Sequence, residues 1–141
     1  MIRAVVDTNV LISGLIKPRG RVGPVLDLLR DGAFTYLYSD VLLEELLAKL
    51  SLPRLRDKYH LNTDDVDTIL SLLLRRGEPV HSRRRIRQCR DPRDDMLLEA
   101  AASASADYLV SGDRDLQVLH PFEGIPIVSP ARFLEVLSAG G

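Results

Sequence analysis

The stretch MIRAVVDTNVLIS, residues 1–13, decides how the rest of the chain is read. A short apolar run from Ile2 to Val6 stops at Asp7, and Thr8 and Asn9 follow before apolar residues resume. RAVVD reads as a buried strand, β-branched and bounded by polar residues. A core strand that ends on a carboxylate has two explanations. Asp7 caps a following helix, or it is a ligand of a metal ion. The residues further along bear on the choice.

Helix and strand patterns alternate beyond it. VGPVLDLLRDG (22–32) predicts a helix closed by Gly32, and FTYLYS (34–39) a short strand. SDVLLEELLAKLSLP (39–53) is an amphipathic helix, capped by Ser39 or Asp40 and stopped by Pro53. Pro53 to His60 is a connector with room for a helical turn. NTDDVDTILSLLLRRG (62–77) is a helix capped by Asn62 or Thr63, with Gly77 after its basic last turn. GEPVHS (77–82) is a short strand or a loop. DPRDDMLLEAAASASA (91–106) is a helix with Asp91 as cap and Pro92 at its first position. DYLVS (107–111) and IPIVS (125–129) are strands, while DRDLQVL (113–119) and SPARFLEVL (129–137) are helices. Near-continuous apolar strands alternating with helices predict a mostly parallel sheet covered on both faces, a three-layer α/β/α sandwich. With no internal repeat or linker, residues 1–141 are expected to form one domain.

In such a sheet the strand C-termini and helix N-termini share one edge, where ligands bind. Several carboxylates are expected there. Asp7 ends the first strand, Asp113 and Asp115 follow DYLVS, and Asp94 and Asp95 lie in the first turn of the Asp91 helix. Glu44 and Glu45 fall about one and a half turns into the Asp40 helix, ~7–8 Å below its start at 1.5 Å per residue. Each acid has an ordinary explanation. Asp7 and Asp113 suit helix caps, Asp94 suits a box-like partner of Asp91, and Glu45 with Lys49 makes an i,i+4 surface pair. Their convergence favours a site.

Helical phase separates two of them. At ~100° per residue, Leu97, Leu98, Ala101, Ala104 and Ser105 share one face with Asp94, while Asp95 points ~100° away. A carboxylate on a buried face needs compensation, so Asp94 is the better site candidate. The same test does not separate Glu44 from Glu45, which flank the leucine stripe almost symmetrically.

Clustered carboxylates repel unless a cation holds them. Oxygen ligands without His or Cys clusters suit Mg²⁺ or Mn²⁺ rather than Zn²⁺. His60, His81 and His120 are scattered and read as surface or packing residues. No serine or cysteine nucleophile motif and no glycine-rich phosphate loop is present. A hard-metal acidic site commonly serves phosphoryl transfer, and RNA or DNA is a natural substrate. The net charge of −1 rules out polyanion binding by overall charge. Yet RRRIRQCRDPR holds Arg83, Arg84, Arg85, Arg87, Arg90 and Arg93 against Asp91 alone, a local patch suited to phosphates. The one cysteine, Cys89, cannot form an internal disulfide. No apolar run reaches the ~20 residues of a membrane span and no signal-peptide h-region opens the chain, so a soluble cytoplasmic protein is expected.

Taken together, VVDTNVLISGL, S-x-x-L-L-E-E-L-x-x-x-L followed by LPRL, CRDPRDDMLLEAA, ADYLVSGDRDL and IPIVSPARFLEVL resemble the PIN-domain nucleases over nearly the whole chain. The resemblance is closer to the toxin components of toxin–antitoxin systems, the VapC-like ribonucleases. It implies a PIN-like, Rossmann-like α/β/α sandwich and a ribonuclease dependent on Mg²⁺ or Mn²⁺. Matched by motif, Asp7, Glu45, Asp94 and Asp113 are the catalytic acids, with Asp7, Asp94 and Asp113 on the metal. Thr8, Asn9, Asp95, Ser111 and Asp115 support them, orienting carboxylates by hydrogen bonds. Where family members often carry Asn after the third acid, this chain has Asp95. Arg83, Arg84, Arg85, Arg87 and Arg90 are then RNA contacts. A small antitoxin and a homodimer are the implied partners. Two other readings remain open: a catalytically silent module that binds RNA or protein, and a Toprim-type or phosphatase-type acidic site prompted by DRD in SGDRD.

Overall fold

The computed structural model describes residues 1–17 and 23–139. Five short strands form one sheet: β1 (Arg3–Val6), β2 (Thr35–Tyr38), β3 (Gly77–Pro79), β4 (Tyr108–Val110) and β5 (Ile127–Val128). Every pairing in it is parallel, and the order is β3-β2-β1-β4-β5. Eight helices accompany it among the described residues: α1 (Thr8–Ile16), α2 (Gly23–Arg30), α3 (Asp40–Leu50), α4 (Pro53–Tyr59), α5 (Thr63–Arg76), α6 (Pro92–Ala104), α7 (Arg114–Gln117) and α8 (Pro130–Ala139). The expected α/β/α sandwich is what forms. The predicted start of α2 at Val22 lies outside the described residues.

Strand alternation divides the core in two. Ala4, Val6, Tyr36, Tyr38 and Val110 point to the face covered by residues of α1, α2, α5 and α8. Val5, Leu37, Leu109 and Ile127 point to the other, covered chiefly by Leu97, Leu98, Ala100 and Ala101 of α6 and Leu116 of α7. Period-2 strands between period-3.6 helices give this layering directly. Gly77 closes the approach of α5 to the sheet. A Cβ there would stand 2.4 Å from the Leu73 carbonyl oxygen and 2.7 Å from the Tyr38 ring.

Two elements differ from the expectation. TNVLISGLI is a helix, α1, which starts directly behind Asp7. Its four β-branched residues, Thr8, Val10, Ile12 and Ile16, hide a helix that is fixed by packing of Val10 and Leu11 rather than by propensity. The segment from Pro53 is a full short helix, α4, ended by His60 in the left-handed conformation. The course of α3 also differs. Its Leu42 packs with Val5 and Leu37 on the α6 side, whereas Leu46 and Leu50 pack with Val10 and Leu11 on the α1 side. The helix therefore crosses the C-terminal edge of the sheet instead of descending one face.

Candidate active site

Sheet order reverses direction between β1 and β4, which opens a crevice outside the C-terminal ends of those two strands. Val6 is paired with Val110, so the next residues, Asp7 and Ser111, stand side by side at the crevice floor. The Asp7 N–H donates to the Val110 carbonyl oxygen at 2.8 Å, which continues the ladder one step past the strand. The first explanation offered for Asp7, the helix cap, holds. It is the N-cap of α1, with Oδ1 accepting from the Asn9 N–H at 3.0 Å. Its other oxygen, Oδ2, accepts from the buried Ser111 hydroxyl at 2.8 Å. Each carboxylate oxygen keeps lone-pair capacity beyond that one bond.

Ser111 links the first acid to the last. While its hydroxyl donates to Asp7, its oxygen accepts from the Asp113 N–H at 3.0 Å. Gln117 fixes the same turn by donating from Nε2 to the Ser111 carbonyl at 2.9 Å. Asp113 in turn caps α7, accepting from the Asp115 N–H through Oδ1 at 2.9 Å. Asp115 itself is exposed on the rim. Asp7 and Asp113 open into a cleft of about 370 Å³, lined also by Asn9, Val10, Ser13, Gly112 and Pro130. A larger hollow of about 560 Å³ lies along β5 between Tyr108, His120 and Arg132 and contains none of the acids. There His120 Nδ1 accepts from the Ile127 N–H at 2.9 Å, a packing role on the sheet edge.

Asp94 comes from α6. It is not the cap: Asp91 is, accepting from the Arg93 N–H at 2.9 Å. The Asp94 carboxyl, half-buried, has its pKa raised to about 6, first by burial and then by the charges of Asp113 and Asp7. That repulsion is the electrostatic sign that three carboxylates from β1, α6 and the β4–α7 turn share one locality. Three helix N-termini, those of α1, α6 and α7, point at the same edge and offset part of the negative charge.

Glu45 and Glu44 part company. Glu44 is exposed, whereas the Glu45 side chain is only 16% exposed and its Oε1 lies 3.0 Å from Lys49 Nζ. Lys49 Nζ also donates to Asn9 Oδ1 at 3.0 Å, tying α3 to the first turn of α1. Asn9 thus supports Asp7 through its backbone and α3 through its side chain. Thr8 is buried in the same turn, but its hydroxyl makes no hydrogen bond to these carboxylates.

Helical phase misjudged Asp95. It is the more buried of the pair, 6% exposed, and its Oδ1 accepts from the Gln88 and Cys89 N–H groups at 2.9 Å each. The segment around Ile86 lies along that flank of α6 and covers it, a tertiary effect that periodicity does not report. Cys89, beside it, has its thiol pKa pushed up to about 12 by burial and then by Asp95. Asp95→Ala is expected to cost about 2 kcal/mol, because two N–H groups lose a charged acceptor. Thermal unfolding without metal checks this, and an unchanged melting temperature would contradict it.

The arginine segment is not one patch over the acids. The Arg83 N–H donates to Ser103 near the end of α6, while Gln88 is held by Asp95 at its start. Those anchors are eight residues apart on the helix, ~12 Å at 1.5 Å per residue. Arg84 is paired with Glu123. Arg83, Arg84 and Arg85 therefore sit toward the far end of α6, and Arg87 and Arg90 toward the acidic edge. Arg93, on that edge, is engaged with Asp91.

The donor set suits a hard divalent cation. Asp7, Asp94 and Asp113 offer carboxylate oxygens, and no Lys or Arg forms a salt bridge with any of them among the described residues. They are neighbours rather than an assembled cage. No group of three His, Cys, Asp or Glu side chains stands at ligand separation among the described residues.

The family described as PIN domain matches residues 3–115, a span that holds Asp7, Glu45, Asp94 and Asp113. A protein of Methanocaldococcus jannaschii described as uncharacterized is 33% identical over 115 residues, which is 82% of this chain and 73% of that protein.

Proposed function

The chain belongs to the PIN-domain family, and from that premise we propose that it is a single-domain ribonuclease dependent on Mg²⁺ or Mn²⁺. PIN domains are generally nucleases, and their nuclease members typically use divalent metals. One observation carries the reading for this chain: Asp7, Ser111 and Asp113 are locked together at the crevice between β1 and β4, with Asp94 near enough to be repelled by them.

In this reading Asp7, Asp94 and Asp113 hold the metal. When bound, the ion supplies charge for the scissile phosphate and acidity for the attacking water. The protein's own groups do the rest. Ser111 fixes the Asp7 carboxylate, and the Asn9 and Asp115 N–H groups fix Asp7 and Asp113. Glu45, paired through Oε1 with Lys49, takes up a water proton or orients the water for in-line attack. Gly112, without a side chain, leaves the cleft open to a nucleotide backbone. Arg87 and Arg90 hold the phosphates next to it, adding salt-dependent affinity.

The toxin-like motifs add a small antitoxin as partner, a homodimer as the assembly and the cytoplasm as the setting. The test is Mn²⁺-dependent cleavage of single-stranded RNA by wild type and by Asp7→Asn. Equal turnover would overturn the assignment, and Mn²⁺ binding without turnover would favour a silent binding module.

A further inference from the structure

Lys49 has a position that an ordinary helix-surface pair does not. Its ammonium contacts Glu45 on α3 and Asn9 on α1, at 3.0 Å each. Its side chain is only 25% exposed. An exposed i,i+4 pair contributes a few tenths of a kcal/mol and touches no second element. This one joins two helices, and Asn9 stands two residues from Asp7. The Asp91 carboxyl, held low mainly by Arg93, also feels the Lys49 charge, so the ammonium acts toward α6 as well.

Among the described residues, Glu45 is the one acid of the four that pairs with a cationic side chain. Two-metal nuclease sites place their ions about 3.5–4 Å apart, and a second ion adds to the demand for carboxylate oxygens. Here the carboxylate available for that purpose already has an oxygen on an ammonium. A second divalent ion would compete with Lys49 for Glu45 and would strip Asn9 of its partner too.

We infer that Lys49 is the resident second cation of the site, a positioning residue that holds Glu45 and Asn9 where a second divalent ion would otherwise bind, so that the site takes one metal ion. The inference rests on the reading of the acids as a metal site. Lys acts as a point charge on a flexible stem, so Lys49→Arg keeps the charge, while Lys49→Met keeps the apolar stem and removes it.

The experiment is calorimetric titration of the whole protein with Mn²⁺, without RNA. Wild type and Lys49→Arg are expected to bind one Mn²⁺ per chain and Lys49→Met two. Lys49→Gln, which retains a donor for Asn9, is expected to behave as Lys49→Met and serves if that variant does not fold. A role in fold stability alone would lower the melting temperature and leave the stoichiometry at one. One ion in the uncharged variants, or two in wild type, would overturn the inference and leave the ribonuclease reading intact. No Mn²⁺ on wild type would overturn both.

Discussion

Asp7→Asn is expected to lower Mn²⁺-dependent RNA cleavage by at least about 100-fold while leaving the fold intact. The magnitude follows from what is lost. Even residues that only orient a metal ligand cost 10–100-fold in affinity or activity when changed, and Asp7 is assigned as a ligand itself. The preserved fold follows from shape. Asparagine keeps the oxygen that accepts from the Asn9 N–H, so the cap of α1 survives. Its amide nitrogen then faces Ser111, whose hydroxyl can rotate to accept instead of donate. Equal melting temperatures with a collapse in cleavage are the expected pair of results. Equal cleavage would remove Asp7 from the chemistry and return it to a helix cap.

Asp94→Asn is expected to split activity from stability. Cleavage falls about as far as for Asp7→Asn, yet the metal-free protein becomes more stable above pH 6. The Asp94 pKa is about 6 in the fold, against an ordinary value of 3.8. Folding therefore favours the protonated carboxyl. The stability this group contributes is fully present below pH 3.8 and lost as pH rises through 6. Asparagine mimics the protonated form at every pH. The gain in melting temperature should be full at pH 8, shrink between pH 6 and 4, and vanish below. Saturating Mn²⁺ should reverse the order, since a ligand at 1,000 times its Kd stabilises its binder by about 4.1 kcal/mol. A variant less stable than wild type at pH 8 in chelator would contradict the account of Asp94. The repulsion is a cost carried by the apo fold for a place to hold a cation, a familiar trade between stability and activity.

Much of this was legible in the order of residues because the fold class depends on period. Apolar strands alternating with helices specify the parallel sheet, and the polar residues behind RAVVD and DYLVS mark the edge where ligands bind. Asp7, Asp94 and Asp113 could be placed there from strand ends and helix starts alone. What escaped the sequence was tertiary. α1 was hidden by β-branched residues whose low helix propensity is overridden by packing. α3 shows a regular leucine stripe, but the stripe does not say that it spans two cores, with Leu42 in one and Leu46 in the other. The symmetric flanks of Glu44 and Glu45 were resolved only by that crossing. Asp95 is buried by a loop laid on α6, not by the sheet, so the phase of the helix pointed away from it. The arginine cluster is compact in sequence and spread over the length of α6 in space. Lys49 was visible as the i+4 partner of Glu45, but its second contact, to Asn9, is 40 residues away. The hydroxyl bridge from Ser111 to Asp7 spans 104 residues and has no local signal at all.

The central claim is that Asp7, Asp94 and Asp113 form one divalent-metal site. Diffraction from crystals soaked in Mn²⁺, recorded at the manganese absorption edge, tests it most directly. The account predicts an anomalous peak ligated by those three carboxylates, with Glu45 still on Lys49. A peak elsewhere on the molecule, or none at a saturating concentration, would contradict it.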